Sequence, residues 1–264
     1  VSILLIGAGH MGQALLKGWI ARGIGPIAVV EPTLSPELKK LAKRGGVKLS
    51  ARLRDVRPRV CVVALKPQIL KTEMESLRGI AEHALMISIA AGTTTKALAS
   101  AWGRKARIVR AMPNTPGAVG RGITALYAST NVNAKDRVLA EKLLAALGET
   151  LWVKKESLID SVTAVSGSGP AYVFLLVEAM AEAAQCEGLP RDVAMKLARA
   201  TVAGSGALLD ADKSSAADLR RAVTSPGGTT EAALKVLMAD DALSALISRA
   251  IAAARKRAEE LGKT

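Results

Sequence analysis

Short apolar, β-branched runs alternate with stretches of helical period through the first half of the chain. The runs "SILLIG" (2–7), "IAVVE" (27–31), "VCVVAL" (60–65), "ALMISIA" (84–90) and "ARIVRAM" (106–112) are apolar at nearly every position. That is the pattern of strands buried on both faces. Between most of them, 11–22, 35–44, 68–81 and 94–101 read as helices. Such alternation predicts a parallel sheet covered by helices on both sides. "ITALYAS" (123–129) and "ETLWVK" (149–154), flanking a helix at 134–147, extend the same sheet.

Beyond Glu156 the strands stop. Stretches 171–188, 190–212, 215–223 and 230–261 read as nearly continuous helix. The segment 171–181 is apolar on most faces, which predicts a helix buried on all sides. A chain of this length has few places to bury it, and an intermolecular helical bundle supplies one. The pattern therefore predicts an α/β fold with a sheet domain over 1–156 and a helical domain over 157–264. No repeat or low-complexity linker separates them.

Composition narrows the picture. Half of the 264 residues are hydrophobic but only 2% are aromatic, so the core must be aliphatic. Two cysteines, Cys61 in an apolar run and Cys186 in a helical one, form no metal or disulfide pattern, and no metal is expected. The formal net charge of +14 invites a nucleic-acid reading. The basic residues are scattered, however, and no stacking aromatics accompany them. No nucleic-acid partner is expected, although such a field draws in small anions. No stretch of ~20 uninterrupted apolar residues marks a membrane span. The start lacks the charged region and cleavage site of a signal peptide, which leaves the cytoplasm as the default location.

The first chemical signal is Gly7-Ala8-Gly9-His10-Met11-Gly12, between the first strand and the first helix. In that context the glycines permit a tight turn and close backbone approach to a dinucleotide pyrophosphate at the helix N-terminus. It predicts a Rossmann-type domain, with His10 a loop residue near the phosphates and Met11 beside it. Glu31 ends the second strand, where such a domain reads the adenine ribose. An acid there binds the hydroxyls of NADH and repels the 2′-phosphate of NADPH; a solvated loop glutamate is the plain alternative. Ala64, Leu65, Lys66 and Pro67 end the next run at the ligand edge, where Lys66 approaches a ligand or is simply solvated. Pro113 and Asn114 end "RAMPNTP", a rigid loop offering an amide to nicotinamide or a structural turn. His83 is placed on a surface helix without a catalytic partner.

The last signal is "VTSPGGTTEAAL" (223–234), where Ser225-Pro226-Gly227-Gly228 stops one helix and Thr229-Thr230-Glu231 starts another. By itself it is either a helix connector or a carboxylate-holding helix N-terminus. "AVSGSGPAYVF" (164–174) likewise either starts a helix or lets a small-residue turn approach the cofactor.

Taken together, "GAGHMG", "VVALKPQ", "ISIAAGT", "VRAMPNTP", "AVSGSGPAYVF" and "VTSPGGTT" resemble the ordered motifs of the pyrroline-5-carboxylate reductase family over nearly the whole chain. The resemblance implies a Rossmann domain followed by an all-α dimerisation domain. The implied activity is reduction of 1-pyrroline-5-carboxylate to L-proline with NADH or NADPH, the last step of proline synthesis. It implies a homodimer, which some members assemble into larger rings. It assigns the substrate carboxylate to Ser225, Gly227, Gly228 and Thr229, and the ring nitrogen to the Thr230 hydroxyl, with the partner chain completing the site. The related β-hydroxyacid dehydrogenases use a lysine on the interdomain helix, and 166–190 contains neither lysine nor arginine. A regulator that kept the fold and lost catalysis is disfavoured by the intact Ser225 and Thr230.

Overall fold

The computed structural model of the chain describes residues 2–53 and 56–263. The alternating half becomes one eight-stranded sheet: β1 (Ile3–Ile6), β2 (Ile27–Val30), β3 (Lys48–Ser50), β4 (Val60–Val63), β5 (Leu85–Ser88), β6 (Arg107–Met112), β7 (Gly122–Ala128) and β8 (Gly148–Trp152). Their order across the sheet is β3-β2-β1-β4-β5-β6-β7-β8. Neighbours from β3 to β6 pair in parallel, β7 runs antiparallel to β6, and β8 is parallel to β7. The order reverses direction at β1, and ligands bind at such a switch point, outside the carboxyl ends of the strands.

Seven helices accompany the strands: α1 (His10–Ala21), α2 (Pro36–Gly45), α3 (Pro67–Glu73), α4 (Arg78–Ala81), α5 (Thr95–Trp102), α6 (Ala134–Leu144) and α7 (Leu158–Val162). Alternate strand residues feed two separate cores, as the period of two requires. Ile3, Leu5, Val60 and Val62 face Leu15, Leu16 and Trp19 of α1 and Leu143 of α6. Leu4, Ile6, Cys61 and Val63 face Leu70, Ile80, Leu98 and Trp102. Each buried indole finds a backbone acceptor: Trp19 Nε1 donates to the Leu143 carbonyl and Trp102 Nε1 to that of Met74, both at 2.8 Å. Full burial pushes the Cys61 thiol far above its usual range, so it packs as an inert apolar side chain.

Several elements depart from the sequence pattern. The edge strand β3 carries no apolar run; three residues pairing with β2 suffice at a sheet margin. The helix expected over 68–81 is α3, a 3₁₀ turn at Met74–Leu77, and α4. His83 lies in the turn after α4, not on a helix. Its carbonyl accepts a hydrogen bond from Arg107 Nη2.

The helical half contains α8 (Gly169–Cys186), α9 (Arg191–Ala211), α10 (Ala216–Ala222), α11 (Thr229–Met238) and α12 (Ala242–Lys263). The helix expected over 230–261 is broken at Ala239–Asp241, where Asp240 and Asp241 take φ of 48° and 55°. Aspartate tolerates this left-handed conformation better than most residues, and so stops a helix without glycine. By contacts the chain forms two compact units. One holds the described residues up to Ser168 together with those from Ala254 onward, and the other is Gly169–Ala253.

Within the second unit α8 packs on α9, but only Ala181 of α8 is buried. Val173, Phe174, Leu175 and Leu176 are 43–64% exposed. The burial expected for 171–181 is thus not achieved within one chain. By length and composition the stretch Leu158–Cys186 is apolar enough to cross a membrane, at a mean hydropathy of 1.3. It is not one uninterrupted α-helix, because a π-turn at Thr163–Gly167 separates α7 from α8.

Candidate functional site

The sequence-derived candidates fall into two groups, one in each unit. In the sheet unit the first is the turn between β1 and α1. Gly7 sits at φ +89°, and a Cβ there would lie 2.6 Å from the Ala64 carbonyl oxygen, so the end of β4 presses directly on the turn. A Cβ at Gly12 would meet the Gly7 oxygen at 2.2 Å. Gly9 differs: a methyl added there would meet nothing within 4 Å. The first and third glycines serve packing, and the middle one leaves open space over the helix N-terminus.

Gly9 is the N-cap of α1, and no side chain caps it. The first-turn amides of an α-helix have no partner within it, and the dipole favours an anion there. His10 is exposed at the head of α1. Met11 turns its side chain toward the core and offers a ligand only its backbone. The turn itself is braced on both peptide groups of Ala8. Its N–H donates to Glu31 Oε2 at 2.7 Å, and its carbonyl accepts from Gln13 Nε2 at 2.8 Å. Glu31 Oε1 accepts the Thr33 N–H at 3.1 Å. The carboxylate at the end of β2 is therefore held on two backbone amides and does not hang free as a loop side chain.

Beside Glu31 opens a cavity of about 360 Å³ whose lining includes Val30, Pro32, Arg52, Leu65, Ile69 and Ser76. Its apolar walls and its place beyond β2 suit a flat heterocycle next to a ribose. Leu65, expected at the ligand edge of the sheet, lines this cavity. Arg52 and Ile69 were not expected there, because they enter only when the end of β3 and helix α3 close around the end of β2. Lys66 is exposed as the N-cap of α3, and Pro67 begins that helix. Glycine turn, capless helix and cavity together fit a dinucleotide.

Pro113 and Asn114 stand two strands from β4, at the end of β6. Pro113 is buried. Asn114 Oδ1 accepts the Ile123 N–H at 2.9 Å, so the carbonyl half of this amide ties the 113–123 loop to β7. The residue before this loop, Met112, touches the π-turn: a Cβ at Gly167 would come within 2.8 Å of Met112 Cε. The turn is closed by Ser168 N–H donating to the Thr163 carbonyl at 2.8 Å. Thr163 and Ser166 hydroxyls donate to carbonyls four residues back, a pairing that distorts helices. π-Turns of this kind are frequent at functional sites.

A feature missed in the sequence anchors this region. Arg110 of β6 is buried and donates to Glu156 Oε1 at 3.1 Å and Asp160 Oδ1 at 3.2 Å. Glu156 also accepts the backbone N–H and the hydroxyl of Thr95, at 2.7 and 2.6 Å. One arginine thus fixes the head of α7 and the head of α5 to the sheet. Its only signal in the sequence was a charge inside an apolar run.

In the helical unit the Ser-Pro-Gly-Gly turn ends on Gly228 as N-cap of α11, without a side-chain cap. Gly227 has φ +71°, and the Gly228 N–H donates to the Ser225 carbonyl at 3.0 Å. The Gly227 N–H donates to Glu231 Oε2 at 2.7 Å. Both amides assigned to a substrate carboxylate therefore have partners in the single chain. The first-turn amides of Thr229 and Thr230 lie beyond the reach of the helix's own carbonyls. Just before the turn, the Thr224 hydroxyl donates to the Arg220 carbonyl at 2.6 Å and closes the preceding helix. Ser225 and Thr229 are exposed and Thr230 is half-buried.

The sheet, glycine turn and cavity define a dinucleotide-binding protein of the Rossmann class, followed by a helical region with an uncovered apolar face. Comparison with known proteins agrees. The model described as pyrroline-5-carboxylate reductase dimerisation matches residues 156–261, and one described as NADP oxidoreductase, coenzyme F420-dependent, matches 2–92. The chain is 39% identical to the pyrroline-5-carboxylate reductase of Pseudomonas aeruginosa, over 99% of this chain and 97% of that one. The solved structure of the Coxiella burnetii pyrroline-5-carboxylate reductase superposes with a TM-score of 0.92 at 40% identity, covering 99% and 98% of the two chains. The Plasmodium falciparum pyrroline carboxylate reductase, solved with NADP bound, gives 0.81 at 26% identity, covering 99% and 98%. The chain belongs to the pyrroline-5-carboxylate reductase family. It is an NAD(P)-dependent oxidoreductase, and its helical region is a dimerisation region.

Proposed function

We propose that this chain carries out the reaction of its family, reduction of 1-pyrroline-5-carboxylate to L-proline with NAD(P)H, and does so with the following residues. Gly9, His10 and Met11 hold the dinucleotide pyrophosphate at the head of α1, in a turn that Gly7 and Gly12 make tight enough to form. Ala64, Leu65, Lys66 and Pro67 wall the cofactor, Pro113 and Asn114 shape its nicotinamide end, and Glu31 meets the adenine ribose. When bound, the reduced nicotinamide supplies a hydride. An acid assigned to the ribose favours the hydroxyls of NADH over a 2′-phosphate, which its charge repels. The cofactor role falls to residues up to 156, and the substrate and dimerisation roles to those from 157.

The substrate carboxylate binds at the 225–230 turn, on Ser225, Gly227, Gly228 and Thr229. A cyclic imine is electrophilic already, and more so once protonated on nitrogen. The protein's task is to orient the ring carbon and hold a proton at the ring nitrogen, which the Thr230 hydroxyl does. The glycine turn at the head of α11, whose N-cap Gly228 has no side-chain cap, carries this reading.

Steady-state kinetics test it. Thr230→Ala should lower kcat roughly tenfold to a hundredfold with cofactor affinity unchanged, because its contact strengthens as the nitrogen becomes an amine. Ser225→Ala should raise the substrate KM more than it lowers kcat, because a carboxylate is bound alike in ground and transition states. Wild-type kinetics in both, with only Tm lowered, would leave the turn a helix connector.

A further inference from the structure

The Gly227 amide, given above to the substrate carboxylate, already holds a carboxylate of the chain itself. Glu231 Oε2 accepts its N–H at 2.7 Å. The same oxygen lies 3.8 Å from Lys235 Nζ, one helical turn further on. Resting on the substrate assignment above, we propose that Glu231 is a displaceable internal counter-ligand. It occupies the carboxylate position in the absence of substrate, yields it when substrate binds, and moves onto Lys235.

Three observations support displacement over a permanent cap. A capping acid at the third helical position usually returns to the N–H of the N-cap residue. Here the Gly228 N–H is committed to the Ser225 carbonyl, and Glu231 reaches one residue beyond it. Gly227 is also solvent-exposed, so a small anion in solution can compete for the same amide. Finally, Glu231 has somewhere to go: Lys235 is 74% exposed and long enough to follow it. Two carboxylates at one N–H repel, so holding Glu231 subtracts from substrate binding. Solvent screening of a side chain that is 37% exposed keeps the effect moderate. Because a carboxylate contact is shared by ground and transition states, the effect belongs in KM and not in kcat.

The test is steady-state kinetics of the intact dimer at saturating NADH, with L-proline inhibition and Tm measured alongside. Glu231→Gln should lower the substrate KM about three- to tenfold, and the L-proline inhibition constant with it, while kcat stays within about twofold. Lys235→Met should raise KM about two- to fivefold, since Glu231 then loses its second partner. In the Glu231→Gln background Lys235→Met should change nothing, because the lysine acts through the glutamate. A KM that is unchanged or higher in Glu231→Gln would overturn the inference, as would an equal effect of Lys235→Met in both backgrounds. A lowered Tm with unaltered KM would make Glu231 a cap only. Failure of the substrate assignment looks different: Ser225→Ala and Thr230→Ala would then have wild-type kinetics.

Discussion

The Glu31 carboxylate and the Ala8 N–H, 23 residues apart, meet at 2.7 Å across the carboxyl ends of β2 and β1. The acid that would read a ribose therefore also braces the turn that would hold the pyrophosphate. Its negative charge and its hydrogen bonds act on different properties, and a substitution separates them.

We predict that the wild-type enzyme has the larger kcat/KM with NADH. Glu31→Ser should shift the preference toward NADPH by roughly tenfold, about 1.4 kcal/mol. Affinity for NADH should fall as well, since Ala8 and Thr33 lose their acceptor. Initial rates with both cofactors decide it, and a wild-type preference for NADPH would refute the assignment of Glu31 to the ribose.

The glycines of the turn should divide in the same way. Gly7→Ala forces a Cβ against the Ala64 carbonyl at a backbone angle that L-residues avoid, so thermal unfolding should show a large loss of stability. Gly9→Ala meets no protein atom and should keep the wild-type Tm. Its cofactor Kd, by fluorescence titration, should rise tenfold or more, about 1.4 kcal/mol, as the methyl fills the pyrophosphate's approach. Unchanged cofactor affinity in Gly9→Ala would remove the glycine turn from the site.

Arg110→Met should cost about 3–5 kcal/mol, because it leaves Glu156 and Asp160 without their common counter-charge in a mostly buried setting. Arg110→Lys should recover only part of that, since a point charge cannot serve both carboxylates as a fork does. Denaturant unfolding measures both. A loss below 1 kcal/mol in Arg110→Met would show the pair of ion bridges to be incidental.

Leu176→Asp places a charge on the exposed apolar face of α8, within the stretch matched to dimerisation. Interfaces that bury upwards of ~2,000 Å² often leave no stable monomer. We therefore expect insoluble or unfolded protein. A folded, active monomer in light scattering would show that the dimer is not obligate, and an intact dimer would place the contact elsewhere.

Much of the sheet was legible because buried parallel strands are apolar on both faces, and β1 and β4 show that run without interruption. The glycine turn was legible because its spacing states a steric requirement. Strand β3 and the break at Asp240 were not. The first is held by pairing along one edge, and the second by a conformation that aspartate tolerates without announcing it.

What the sequence by itself determined is everything that follows from local period and local sterics: the apolar strands, most helices, the turns at Gly7 and Gly227, and the apolar face of α8. What tertiary structure alone decided is which distant groups share an atom. Glu31 meets Ala8, Asn114 spends its carbonyl on Ile123, and Arg110 gathers Glu156 and Asp160. The reason is physical. A hydrophobic pattern reports the average environment of each position, whereas a hydrogen bond depends on angstrom-scale placement of two groups whose separation along the chain carries no signal.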